Sequence, residues 1–333
     1  MRIFRTSFMR SLRHRWPRIK KVLPWLILAV VACLLFYFGR SVDWPQVWLA
    51  MRRIPRESVL IAAGLVASGY LIYGSLDLLG RRYTGHKLPW PTVLGVAMVS
   101  YALNLSLGVL VGGLGARLRL YAKLGCRKAI ATRVALFSAA SNWIGYGWVA
   151  GVVFVSGAIP VPSGWDIGSG LLRGIGAVLL AAVASYVWLC ARSKRRSATW
   201  LGQKIHLPRG RMALLQSLIG ALSWMCMGAV AWVLLQGKAP YPVVLGILLC
   251  SSFAAVLTRV PGGLGTTEAI FVAVLSPPLP ATEVLGAALA YRAFYALTPL
   301  CLALLAFPIA EALLAWRKRQ SPQPLQPTDK LTL

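Results

Sequence analysis

Apolar runs about as long as a bilayer is thick recur along this chain, and they leave it few ways to fold. They span Leu23 to Gly39, Val59 to Gly80, Thr92 to Val111, Val134 to Gly157, Leu171 to Ala191, Met212 to Gln236, Tyr241 to Val260 and Val284 to Trp316, with a shorter piece from Ala269 to Leu275. About 20 apolar residues suffice to cross as a helix, and only helices or closed barrels satisfy their backbone polar groups inside lipid. With 333 residues the chain could fill two soluble domains, but 58% hydrophobic residues and a mean hydropathy of +0.67 gathered into such runs exclude that. The expected fold is all-α, a polytopic helical membrane protein of about 6–8 spans. A basic cytoplasmic N-terminus covers residues 1–22, a transmembrane region 23–316 and a short cytoplasmic tail 317–333. No small-residue cleavage site follows Phe38-Gly39-Arg40, so the first apolar run reads as an uncleaved span.

The net charge of +28 does not indicate nucleic acid, because the cations are confined to short blocks between the apolar runs. Arg2 to Lys21, Arg81 to Lys87, Arg117 to Arg133, Arg192 to Arg211 and Arg317 to Arg319 look like loops retained in the cytoplasm beside anionic lipid headgroups. Trp25, Trp44, Trp48, Trp90, Trp165 and Trp316 stand near span ends, as interface anchors do. Five of the six cysteines lie within apolar runs, and His14, His86 and His206 lie in loops. None of these has the spacing of a metal site, and no cofactor is implied. No nucleophile–base pattern, phosphate-binding loop or paired carboxylate points to catalysis.

Two glycine-rich elements interrupt this pattern. Gly112-Gly113-Leu114-Gly115-Ala116-Arg117 and, 150 residues on, Gly262-Gly263-Leu264-Gly265-Thr266-Thr267-Glu268 each break a strongly apolar segment. Irregular backbone is tolerated at membrane depth only where it is buried in protein or lines a cavity, and matching breaks in two halves point to a binding site between inverted repeats. If Thr92 to Val111 crossed fully, the basic block after it would lie outside. A re-entrant hairpin bending near Asn104, Ser106 or Gly108 keeps that block inside. Three crossings then separate the glycine elements and set them on opposite sides. On this topology Arg127 and Lys194 face the cytoplasm, and Asp166 and Lys238 the periplasm.

The chain holds only eight acidic residues. Asp77 lies within a span and is a functional candidate, with Arg81 four residues on as the alternative structural partner. Glu268 follows the second break, where a helix dipole favours an anion. Arg117 is a cation at an expected helix start at Gly115, a poor arrangement unless an anion is bound there, so the site reads as one for phosphate. Arg292 sits in the last span between Tyr291 and Tyr295, and Asn104 and Asn142 add polar groups to apolar runs.

These stretches, with Leu120-Tyr121, Ser141-Asn142-Trp143 and Ala290-Tyr291-Arg292, resemble the transmembrane region of the lysylphosphatidylglycerol synthase/flippase family in its stand-alone bacterial inner-membrane form. The resemblance implies a lipid-translocating domain in which an aspartate, an arginine and a glutamate matter for flipping, at Asp77, Arg117 and Glu268. It also implies that the soluble domain of full-length members, which transfers an aminoacyl group from tRNA, is absent here. The expected function is binding and translocation of an anionic membrane phospholipid of phosphatidylglycerol or cardiolipin type. The alternative is a non-transporting scaffold that presents lipid to a separate lipid-modifying enzyme.

Overall fold

The computed structural model describes residues 44–160, 168–193, 197–200, 203–258, 263–276 and 278–305. The first apolar run, the last span beyond Leu305, both chain ends, Gly262, Asp166 and Lys194 lie outside the described residues. In order, the elements are α1 (Trp44–Arg52), α2 (Arg56–Thr84), α3 (Trp90–Leu107), a π-helical segment π1 (Val109–Gly115), α4 (Ala116–Lys123), α5 (Lys128–Ser156) and α6 (Ser169–Arg192). After a two-stranded hairpin come α7 (Gly210–Leu234), α8 (Tyr241–Thr258), α9 (Thr266–Leu275), α10 (Ala281–Arg292) and π2 (Ala293–Leu297), with helix continuing to Leu305. Among the described residues five helical stretches are long and apolar enough to cross a bilayer, and α5, less apolar, equals the longest of them with 29 residues. The chain is an all-α polytopic membrane protein. One departure is small: β1 (Ser197–Trp200) pairs antiparallel with β2 (Gln203–His206) in a basic stretch that reads as a loop.

Pro89 and Pro55 stand just before α3 and α2, where a missing N–H costs nothing. Gly85 and Gly157 end α2 and α5 in the left-handed conformation that stops a helix. The core forms where small residues let backbones approach. A Cβ added to Gly145 of α5 would lie 2.1 Å from the carbonyl carbon of Gly220 in α7, and one on Gly220 would lie 2.5 Å from Ser141 O. Close crossing through small residues is how helices pack when lipid supplies no hydrophobic drive between them. The indole of Trp224 locks this crossing by donating to Asn142 O at 3.0 Å.

Two segments turn back rather than cross. At Gly108 (φ 84°, ψ 169°) α3 stops, and π1 folds against it so closely that a Cβ on Gly112 would lie 2.0 Å from Leu103 O. A continuous helix would separate residues 103 and 112 by about 13 Å along its axis. Leu120 and Tyr121 of α4 share a core cluster with Val93 and Val96 at the start of α3, so the chain re-emerges at the end where it entered. The second turn brings Gly263 within 3.0 Å (as a built Cβ) of Ala255 Cβ, eight residues earlier, and α9 runs back along α8. A surface cavity lined by Arg53, Leu234 and Glu283 places the start of α2, the end of α7 and the start of α10 at one end of the bundle. The first hairpin enters from the opposite end, after Thr84. Span, hairpin, span therefore occurs twice with opposite insertion, α5 and α6 and α7 lying between the hairpins. Single-cysteine variants Arg127→Cys and Lys238→Cys will label from opposite sides of sealed vesicles; labelling from one side would refute this arrangement.

Candidate functional site

Each hairpin carries a charged side chain to a partner on a spanning helix. Asp77 of α2 is fully buried. Ser138 of α5 donates to its Oδ1 at 2.5 Å, Tyr121 of α4 donates to Oδ2 at 3.2 Å, and Arg117 Nε lies 3.2 Å from Oδ2. Arg117 and Tyr121 are one turn apart on the same face of α4, which is why one carboxylate can receive both. The four-residue spacing that offered Arg81 to Asp77 is overruled: Arg81 Nε donates instead to Leu88 O at 2.7 Å, tying down the turn after α2.

The setting of Arg117 also differs from a helix start. Gly115 is helical (φ −61°, ψ −50°) and π1 runs straight into α4, so helical winding begins at Val109, two turns before Arg117. The break is Gly108, which leaves Arg117 away from the dipole's positive end. The anion beside it in this structure is Asp77. Arg117 is 4% exposed, yet neither its Nε nor its Nη2 makes a well-aligned hydrogen bond among the described residues. Three more buried polar atoms of the same hairpin, Ser100 Oγ, Asn104 Oδ1 and Ser106 Oγ, are likewise unpartnered. Buried polar groups are ordinarily satisfied, so such a concentration marks a place for water or a ligand. Asn104 lies against the glycine element, its Oδ1 2.8 Å from where a Cβ on Gly113 would stand.

The second site has the opposite polarity. Gly265 takes φ 78°, a conformation that excludes most side chains, and α9 begins directly after it. Glu268 therefore does occupy a true first turn. Arg292 grips it with a fork: Nε donates to Oε1 at 2.5 Å and Nη2 to Oε2 at 2.9 Å, while Nη2 also reaches Gly263 O at 2.8 Å. Arg292 is thus bound across the second hairpin rather than extended to the membrane surface. It stands where α10 becomes π2, and π1 leads to Arg117; π-turns are rare and concentrate at functional positions. Of the predicted residues the structure joins Asp77 with Arg117, Glu268 with Arg292, and Asn104 with the first glycine element. The backbone carbonyl of Asn142 serves the α5–α7 crossing.

Tyrosines lie between the two pairs, and of these the sequence pattern singled out Tyr291 and Tyr295 only as neighbours of Arg292, and Tyr70, Tyr73 and Tyr101 not at all. Tyr73 stacks on Tyr101 at 3.6 Å between ring centroids, Tyr101 meets Tyr295 edge-on at 6.4 Å, and Tyr295 stacks on Tyr291 at 5.5 Å. Tyr70 donates to Tyr295 O. Gly69 makes the room, since a Cβ there would lie 2.9 Å from the Tyr295 hydroxyl. Their signal was five tyrosines inside apolar runs, where the interface position usual for tyrosine does not apply.

The profile of the family described as "Lysylphosphatidylglycerol synthase TM region" matches residues 25–303. The chain belongs to this family. It is similar to the "Inner membrane protein YbhN" of Escherichia coli (strain K12), 42% identical over 90% of this chain and 94% of that one. It is also similar to an uncharacterized protein of Synechocystis, 29% identical over 92% of this chain and 97% of the relative. Among the described residues no three His, Cys, Asp or Glu side chains come together as metal ligands.

The two kinds of ion pair should differ in weight. Lys238–Glu283 is over a third exposed on both sides, whereas Arg292 and Glu268 are only 12% and 10% exposed. Glu283→Ala will change stability by less than about 1 kcal/mol. Glu268→Ala strands a buried guanidinium and will cost about 3–5 kcal/mol, read as a lower melting temperature of the purified protein.

Proposed function

We propose that this chain is a multi-pass inner-membrane transporter that binds an anionic phospholipid, of phosphatidylglycerol or cardiolipin type, and moves it between leaflets. The observation that carries this reading is the pair of hairpins inserted from opposite ends, each fastened in an apolar interior by one ion pair. Charges at such depth are costly to keep, and they are found where a pathway needs them. Membership of a family named for a lipid synthase agrees with it.

In this mechanism Arg117 exchanges partners. Its contact with Asp77 leaves donors unaligned, and a lipid phosphate offers the two parallel acceptors that a guanidinium fork matches best. Asp77 keeps the Ser138 and Tyr121 donors when Arg117 turns to the phosphate, which offsets part of the cost of separating the pair. Glu268 and Arg292 fasten the other hairpin to α10 and close the path from the opposite end. Binding energy at one site is then available to open the other, as alternating access requires. No chemical step is assigned.

Reconstitution into liposomes with a fluorescent phosphatidylglycerol in one leaflet tests the reading. Protein-dependent loss of leaflet asymmetry is expected. Lipid that binds and never changes leaflet would overturn translocation and support the scaffold that hands lipid to another enzyme.

A further inference from the structure

Three arginines stand where loop retention gives no reason for them. Arg52, Arg53 and Arg56 crowd the α1–α2 corner, at the bundle end opposite the strongly basic turns around Arg81, Lys87, Arg127 and Lys128. If the basic turns mark the retained face, this corner is on the translocated one, where arginines are ordinarily sparse. Beside it lies a cavity of about 180 Å³, far more than one water needs. Its floor is apolar, from Ile54, Leu234 and Ala287, and its rim carries Arg53, Lys238, Gln236 and Glu283. Lys238 meets Glu283 in a largely exposed pair, so Arg53, Lys238 and Glu283 together leave the rim with a net positive charge. Gln236 is the one described non-glycine residue with positive φ (57°), a strained conformation of the kind that gathers at binding sites. Trp48 and Leu49 of α1 lie more than half exposed next to this corner, with Leu60 and Ile61 of α2 exposed below it.

We infer that this cavity is a second anion site, which takes the phosphate headgroup of an anionic lipid from the leaflet at that end of the bundle. Arg53 and Lys238 bind the phosphate, Gln236 bonds the headgroup's polar atoms, and the acyl chains run along the exposed apolar surface of α1 and α2. Charge and shape choose this occupant together: a cationic rim over an apolar floor, opening beside lipid-facing side chains, matches an anionic amphiphile. The proposal extends the reading above to the far leaflet, but it concerns binding alone and stands whether or not lipid crosses.

The test is native mass spectrometry of the full-length protein in detergent, with dioleoylphosphatidylglycerol, dioleoylphosphatidylcholine or inorganic phosphate added separately. Arg53→Gln/Lys238→Gln is expected to weaken one phosphatidylglycerol-binding step about tenfold and leave phosphatidylcholine unaffected. Glu283→Gln releases Lys238 and should strengthen the same step several-fold, a gain that a merely structural role would not give. Arg117→Ala, run alongside, removes a different step, so loss of the hairpin site is told apart from loss of this one. Unchanged phosphatidylglycerol binding in both rim variants would overturn the site. So would equal losses for phosphatidylcholine, which would make it an apolar pocket only, or uptake of inorganic phosphate with indifference to phosphatidylglycerol, which would make it a site for a soluble anion.

Discussion

Arg117→Ala will both destabilise the protein and abolish its hold on phosphatidylglycerol at the first hairpin, and a second substitution will separate the two losses. Removing the guanidinium leaves the Asp77 carboxylate fully buried, with only the Ser138 and Tyr121 hydroxyls to answer its charge. Breaking a buried pair from one side typically costs about 3–5 kcal/mol, because the remaining charge has lost its partner. The melting temperature in detergent will fall accordingly. In Asp77→Asn/Arg117→Gln no charge remains to be stranded and the amides can still exchange hydrogen bonds, so most of that stability will return. Lipid binding will not, since no cation is left for a phosphate; the loss is expected to be at least tenfold. Arg117→Lys keeps the charge but not the fork, and it will bind phosphatidylglycerol more weakly than wild type and more tightly than alanine. A double variant that recovers stability and lipid affinity together would mean that the pair is only a latch between α2 and α4.

Much of this architecture was legible in the residues because lipid simplifies the code. Long apolar runs mark helices, and a block of cations on the wrong side of one run, from Arg117 to Arg133, is enough to demand a turn inside the membrane. The turn itself, at Gly108, was among the residues named for it. The helix start was misplaced at Gly115 because composition cannot tell a glycine that breaks a helix from one that lets two helices touch. Gly108 and Gly265 have positive φ and break; Gly115 is helical, and Gly112 is needed for its missing side chain. Partner choice was legible only within a helix. Spacing offered Arg81 to Asp77, but the true partner comes from an element 40 residues away, which depends on a tertiary hairpin that no local rule contains. The Glu268–Arg292 fork was hidden for the same reason, although both of its residues stood out as charges in apolar runs.

Gly112→Val will prevent the first hairpin from closing while leaving the protein able to insert. Insertion follows the hydrophobicity of the spans, which valine does not lower. Closure fails because the atom in the way is backbone: a Cβ at Gly112 would lie 2.0 Å from Leu103 O and 2.3 Å from its carbonyl carbon, far inside any real contact. A flexible side chain could swing aside, but a helical carbonyl cannot move without breaking α3. Overpacking against side chains usually costs about 1–3 kcal/mol, so a collision with main chain belongs at or above the top of that range. With π1 displaced, α4 cannot bring Arg117 to Asp77, and the protein should show both defects of Arg117→Ala at once: low melting temperature and loss of one phosphatidylglycerol-binding step. Gly95→Ala is the control, since it lies in α3, the helix that Gly112 meets, with nothing within 4 Å of the added carbon, and should be neutral or gain up to about 1 kcal/mol. If Gly112→Val melts and binds lipid like Gly95→Ala, then Leu103 and Gly112 are not in contact, α3 runs on through the bilayer, and Arg117 emerges on the far side from Arg81.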